Sequence, residues 1–172
     1  MTWTAPTPPP AGDGPLTGDD RAILEGFLAS QRSVLLTICA GLTPEQLVEQ
    51  AVPPSLLSLL GLVRHLAKVE RIWLRQGAAG EAVEPMYDPS LPKDTDFDDL
   101  DPDRAAYDLS RYQKECALAD AAVADLPFDH EFERKGETFS LRATYVHLIS
   151  EYARHNGHAD LLREKLDGVT GL

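Results

Sequence analysis

The sequence predicts an all-α fold, a four-helix bundle with a crossover connection between helices two and three, and three observations carry that prediction. Four stretches of helix length repeat apolar residues every three or four positions, which gathers them on one side of a helix. No stretch gives a convincing strand ladder. Residues 78–100, which include Gly80, Pro85, Pro89 and Pro92 and then an acidic run, separate the second and third helices by enough chain for a crossover.

Each element has its own signals. Residues 1–16 are rich in Pro, Gly and Thr, offer little to bury and are expected to form a flexible arm, which leaves 17–172 as a single domain. Helix one is expected over 19–40, where Ile23, Leu24, Phe27, Leu28, Val34, Leu35 and Ile38 recur at helical spacing and Gly41 supplies the stop. Thr43-Pro44-Glu45-Gln46 reads as a cap, a proline at the first helical position and a reciprocal glutamine, so a short helical turn follows until Val52-Pro53-Pro54. Ser55 is the expected cap of helix two, which reaches Gln76 with Leu59, Leu62, Leu66, Val69, Ile72 and Trp73 on its apolar side and Gly77 closing it. His65 falls on that same side. Asp101-Pro102 opens helix three, to about Leu126, and the stretch through Gly136 carries a small hairpin or a turn. Ser140 caps helix four, which runs to about Leu166 ahead of Gly168.

Composition narrows the partners. Twenty-eight acidic against sixteen basic residues give a formal net charge of −12, a field that repels phosphate backbones and anionic headgroups, so neither nucleic acid nor membrane is an expected partner. No segment approaches the roughly 20 consecutive apolar residues of a membrane span. The residues before Arg21 lack both the basic and the apolar part of a secretory signal, and a cytoplasmic location is expected. Cys39 and Cys116 are far apart, each inside a helical pattern, and read as small core hydrophobes in a reducing compartment.

Helix four carries the chemistry. It places His147, Glu151 and His155 at four-residue steps, with His158 three residues further on, so that these side chains are neighbours on one side of the helix. Glu151 and His155 lie on or beside the apolar stripe of Leu141, Leu148, Leu162 and Leu166, which directs a carboxylate toward the core. Burying a carboxylate costs several kcal/mol unless it is paired, hydrogen-bonded, protonated or bound to a metal. His155 offers a second donor atom, and His65 a third from across the bundle. Two nitrogens and one oxygen suit zinc, nickel or ferrous iron, with positions left for water or substrate. Two plainer readings stand beside this one: His65 as a core histidine satisfied by a carbonyl, and Glu151–His155 as a hydrogen-bonded pair that only fixes helix packing.

The segments GLVRHLAKVERIWL at 61–74 and SLRATYVHLISEYARHNGHADLLRE at 140–164 resemble the DinB-like superfamily, and within it the actinobacterial mini-circle-protein branch, over about residues 17–167. The resemblance implies that a histidine of the second helix and a pair four apart on the last helix hold a divalent metal, here His65, Glu151 and His155. Many members carry histidine where this sequence has Glu151. The mycothiol-dependent maleylpyruvate isomerase branch is similar to this sequence in using Glu. Several relatives use the metal to activate a low-molecular-weight thiol such as mycothiol or bacillithiol, which implies S-transfer or isomerisation with mycothiol as co-substrate. The implied partners are a small thiol and an electrophilic substrate, with a second copy of the chain as a candidate partner. His147 and His158 are the candidate catalytic groups, as proton shuttles.

Other signals are weaker. Asp94, Asp96 and Asp98 imitate the start of a calcium loop, but Asp99 stands where its glycine belongs and Ala105 where its glutamate belongs, so the run reads as a solvated acidic loop. Trp73, Tyr145 and Tyr152 are expected in or near the core, or above the metal. A non-catalytic bundle, with metal or hydrogen bond tying helices two and four together, is the competing function. An open ligand position separates the two, since structural zinc is closed by four protein ligands.

Overall fold

Asp19 opens the first helix, α1 (Asp20–Cys39), where its side chain accepts from the Arg21 N–H at 2.7 Å. The computed structural model describes residues 3–10, 12, 14–87, 90 and 95–170. Gly41, at φ +80°, follows α1 in the left-handed conformation that stops a helix. The expected capping box is formed: Thr43 and Gln46 cap each other's backbone at the head of α2 (Pro44–Val48).

The next helix starts later than Ser55. Its cap is Ser58, whose hydroxyl accepts from the Gly61 N–H at 3.2 Å, and α3 runs Leu59–Glu70. Pro53 and Pro54 have no N–H to donate and hold the chain outside the helix, while Ser55 turns its hydroxyl to the Leu57 N–H instead. Beyond Glu70 the helix continues as wider π-type turns over Arg71–Ala78, where the Ala79 N–H reaches the Leu74 carbonyl five residues back. Gly77 is therefore inside the helix rather than its stop. A side chain there would stand 2.8 Å from Phe132, so the missing side chain admits that ring.

Asp101 caps a tight turn, Pro102–Arg104, that leads into α4 (Ala105–Val123). The stretch left open between turn and hairpin is a hairpin: β1 (Glu131–Arg134) pairs antiparallel with β2 (Glu137–Ser140) across Lys135-Gly136, both at positive φ as a two-residue hairpin turn requires. Ser140 caps α5 (Leu141–Asp167) through the Ala143 N–H, and Gly168 closes it at φ +77°. The chain is thus mostly helical with one small two-stranded sheet. α1 packs on α5, α5 on α3 and α3 on α4, around a core that includes Leu28, Leu35, Leu62, Leu66, Leu148 and Tyr152. Cys39 and Cys116 are buried and free, as expected; burial pushes the Cys39 thiol up to about 12.

Two expectations change. The segment read as a free arm is held at Ala5, which is 3% exposed and exchanges backbone hydrogen bonds with Leu42 at 2.9 Å and Gly41 at 2.8 Å. The turn after α1 leaves those polar groups unpaired, and the extended, proline-flanked arm supplies partners for them. The other change concerns α1, which by length and composition alone is apolar enough to cross a membrane. Its Leu28, Leu35, Ile38 and Cys39 are instead buried inside the protein. Its Arg32 crosses to Glu70 of α3, which is 0% exposed, with Nε 2.7 Å from Oε1 and Nη2 2.8 Å from Oε2. Tyr152 of α5 donates to the same Oε1 at 2.8 Å, so three helices are tied at one buried carboxylate.

A candidate metal centre between two helices and a strap

α3 and α5 bring the three predicted ligands together. His65 Nε2 lies 3.3 Å from Glu151 Oε1, and His155 Nε2 lies 3.3 Å from the same oxygen. One ligand atom from each of the three residues falls within 4.8 Å of the others, a spacing able to hold a metal ion. The four-residue step on α5 sets Glu151 beside His155, and the α3–α5 packing sets His65 across from both. The residues are half-buried: Glu151 and His65 keep 18% of their side-chain surface and His155 12%. Glu151 is thus beside the buried stripe rather than in the core, because the stripe runs through Leu141, Tyr145, Leu148, Tyr152, Asn156 and Ala159. Glu70 of α3, by contrast, is a carboxylate buried in the core.

Asp96 is the residue that sequence reasoning missed. Taken for part of a solvated acidic loop, it is 1% exposed, with Oδ2 2.8 Å from His65 Nδ1 and Oδ1 bonded to Lys68 Nζ. Its neighbour Phe97 stacks on the His65 imidazole at 5.1 Å between ring centroids. The partner of His65 is therefore a pair of carboxylates and not the backbone carbonyl of the plainer reading. Nothing in the acidic run distinguishes Asp96 from Asp98 or Asp99, which stay exposed. Asp94 of the calcium-like run lies outside the described residues.

The two predicted catalytic histidines separate. His158 Nδ1 stands 3.5 Å from His155 Nδ1, at the outer end of the hydrogen-bonded series Asp96–His65–Glu151–His155. His147 instead packs at a tilt against Trp73, with 4.3 Å between ring centroids, and Phe139 of the hairpin packs edge-on against the same indole. Trp73 is half-buried, whereas Tyr145 and Tyr152 are in the core as expected.

The electrostatics suit a dication. Burial pushes the Glu151 carboxyl up, but hydrogen bonding to His65 and the charges of His155 and His65 outweigh it and hold the group below its ordinary range. Burial and the neighbouring His65 push His155 down, which favours the neutral ring with a free lone pair. Asp96, pushed up by burial, is brought below its ordinary range by His65 and Lys68. An ionised Asp96 can only accept, so His65 Nδ1 donates to it; in a singly protonated ring Nε2 then turns a lone pair toward Glu151 Oε1, and in a doubly protonated ring it donates to that oxygen. The first arrangement leaves two acceptors facing each other with room for a cation, and two imidazole nitrogens with one carboxylate oxygen are an ordinary donor set for a borderline divalent metal.

Nothing matches this chain among curated proteins or among solved structures. The family described as MST: Mycothiol-S-transferase matches residues 23–168, from the first turn of α1 to the cap of α5 and across every residue of the centre. The chain therefore belongs to the mycothiol-S-transferase family.

Proposed function

We propose that this protein is a divalent-metal-dependent enzyme that activates a mycothiol-like thiol for transfer to, or isomerisation of, an electrophilic substrate at His65, Glu151 and His155. The observation that carries the reading is the approach of His65 Nε2 and His155 Nε2 to one carboxylate oxygen, within a family named for this chemistry. His65 and His155 would hold zinc, nickel or ferrous iron through ring nitrogens, and Glu151 through a carboxylate oxygen. A bound dication supplies the positive charge that favours the thiolate form of a coordinated thiol near neutral pH.

The chain's own residues do the rest. Glu151 adds negative charge, keeping the site's net charge low enough for a thiolate to be released to its acceptor. His158, whose Nδ1 is 3.5 Å from His155 Nδ1, would serve as the proton shuttle. His147, one turn before Glu151 and in contact with Trp73, would be a second proton-carrying group. In the same reading the four long helices form a DinB-like bundle, crossed over between α3 and α4, that works in the cytoplasm. The sequence of contacts α1–α5–α3–α4 supports that bundle.

The test is metal analysis of protein purified without a histidine tag, followed by thiol transfer with mycothiol and a chromogenic electrophile. About one divalent ion per chain is expected, with activity lost to a chelator and restored by metal. His65→Ala should lose metal while keeping its circular dichroism. Transfer that proceeds equally before and after chelation would overturn the reading.

A further inference from the structure

We propose that Asp96 is a positioning residue that selects which ring nitrogen of His65 carries the proton, and so makes Nε2 available to a cation. This rests on the metal reading of the three ligands. The geometry is that of a built contact rather than a passing one. Asp96 Oδ2 is 2.8 Å from His65 Nδ1, the carboxylate is buried, and its other oxygen is held by Lys68. The segment that delivers it is strapped down: the Arg64 guanidinium donates to the carbonyls of Thr95, Asp98 and Asp99 at 3.3–3.4 Å. Phe97 lies over the His65 ring from the same strap. It reaches that place because Gly61, one turn before His65, has no side chain; a Cβ there would be 3.0 Å from the Phe97 ring. The strap thus fixes both the plane of the imidazole, through Phe97, and its tautomer, through Asp96.

Lys68 makes the proposal sharp. An ammonium only donates, so of the two ends of an amide at 96 the oxygen is the one that suits Lys68. Aspartate has a second oxygen left for His65 Nδ1–H. Asparagine does not: with its oxygen on Lys68, its NH₂ faces His65 Nδ1, which must then accept. The ring proton moves to Nε2, where it occupies the position a metal would take. Asp96→Asn, an almost isosteric change, should therefore be worse for metal binding than its size suggests. Replacing Lys68 as well frees the amide to turn its oxygen back to His65.

Two measurements test this on the full chain. Nitrogen-15 NMR of the imidazoles, at about pH 9 where histidines are neutral, should find the proton of native His65 on Nδ1 and that of Asp96→Asn on Nε2. Zinc titration should show affinity reduced roughly 10- to 100-fold in Asp96→Asn, with partial recovery in Asp96→Asn/Lys68→Met. A purely structural role for Asp96 predicts no exchange of tautomer and no recovery. A native His65 with its proton on Nε2 would overturn the proposal, and this reading needs no variant to fold. Native-like zinc affinity in a folded Asp96→Asn would overturn it as well. A native chain that carries the Nδ1 proton but ignores zinc would support the role of Asp96 and overturn the metal reading instead.

Discussion

Glu70 and Glu151 sit on facing helices and are joined to the same stretch of α5, yet they are opposites. Glu70 is fully buried, and its oxygens take three bonds of 2.7–2.8 Å from Arg32 and Tyr152. Glu151 is half-open, shares one oxygen between two imidazoles at 3.3 Å, and among the described residues has an exposed Arg154 at 3.8 Å near the other. The short, complete set holds helices together. The long, shared set leaves the Glu151 oxygens with bonding capacity to spare. Burial of a carboxylate is thus a poor marker of a working site; incomplete bonding at an accessible position is a better one.

The strongest way to break this contrast is to remove the partner of the saturated carboxylate. Arg32→Ala removes the guanidinium that pairs with the buried Glu70 among three helices, and should cost about 3–5 kcal/mol in urea unfolding. Zinc affinity of the folded fraction should stay native. A loss well under 1 kcal/mol would mean that Glu70 does not depend on Arg32, and would remove one side of the comparison.

Glu151→Gln should do the reverse. A neutral amide is a poor ligand, so zinc affinity should fall at least tenfold, roughly 1.4 kcal/mol, while the metal-free protein changes by less than about 1 kcal/mol. A chelator should lower the melting temperature of the native protein and barely affect the variant, which has less metal to lose. Equal affinity and equal indifference to chelator would leave Glu151 a packing group like Glu70.

The smallest effect is expected from pH, through a third carboxylate. Burial pushes the Glu115 carboxyl up, but Arg71 and Arg75, bonded to it at 2.7–3.0 Å, hold it below its ordinary range. Its folded pKa is therefore depressed, and the unfolded chain takes the proton first. The stability it contributes is present above the unfolded value of about 4.3 and is lost as pH falls through the folded one. Melting temperature should drop on acidification below about pH 5, and Glu115→Gln should flatten that drop. An unchanged acid limb would show that the arginines do not act through charge.

Local signals in the sequence were read well and distant ones were not. Thr43, Ser140, Gly41 and Gly168 do what their residue types predict, because a cap is decided within four positions. The same chemistry misled at Ser55, since Ser58 offers an equally good hydroxyl after two prolines. Three of the centre's residues were legible from helical spacing and family resemblance. Asp96 and the Glu70–Arg32 pair were not, since their partners lie 31 and 38 residues away and only the tertiary packing joins them. Even Glu70, on the apolar run of α3, passes in sequence for an ordinary helix-surface glutamate.

The docking of Ala5 bears on how the protein should be handled. Ala5, near the N-terminal side of the chain, is held at the turn of Gly41 and Leu42 by two backbone bonds. A bulky or charged leader there competes with that dock, and a polyhistidine leader would itself bind the divalent ions used in a metal titration. Val169 and Thr170 are exposed beyond the Gly168 cap, so an affinity handle carried at that side leaves the arm in place. Choosing the end of attachment is then part of measuring the native molecule.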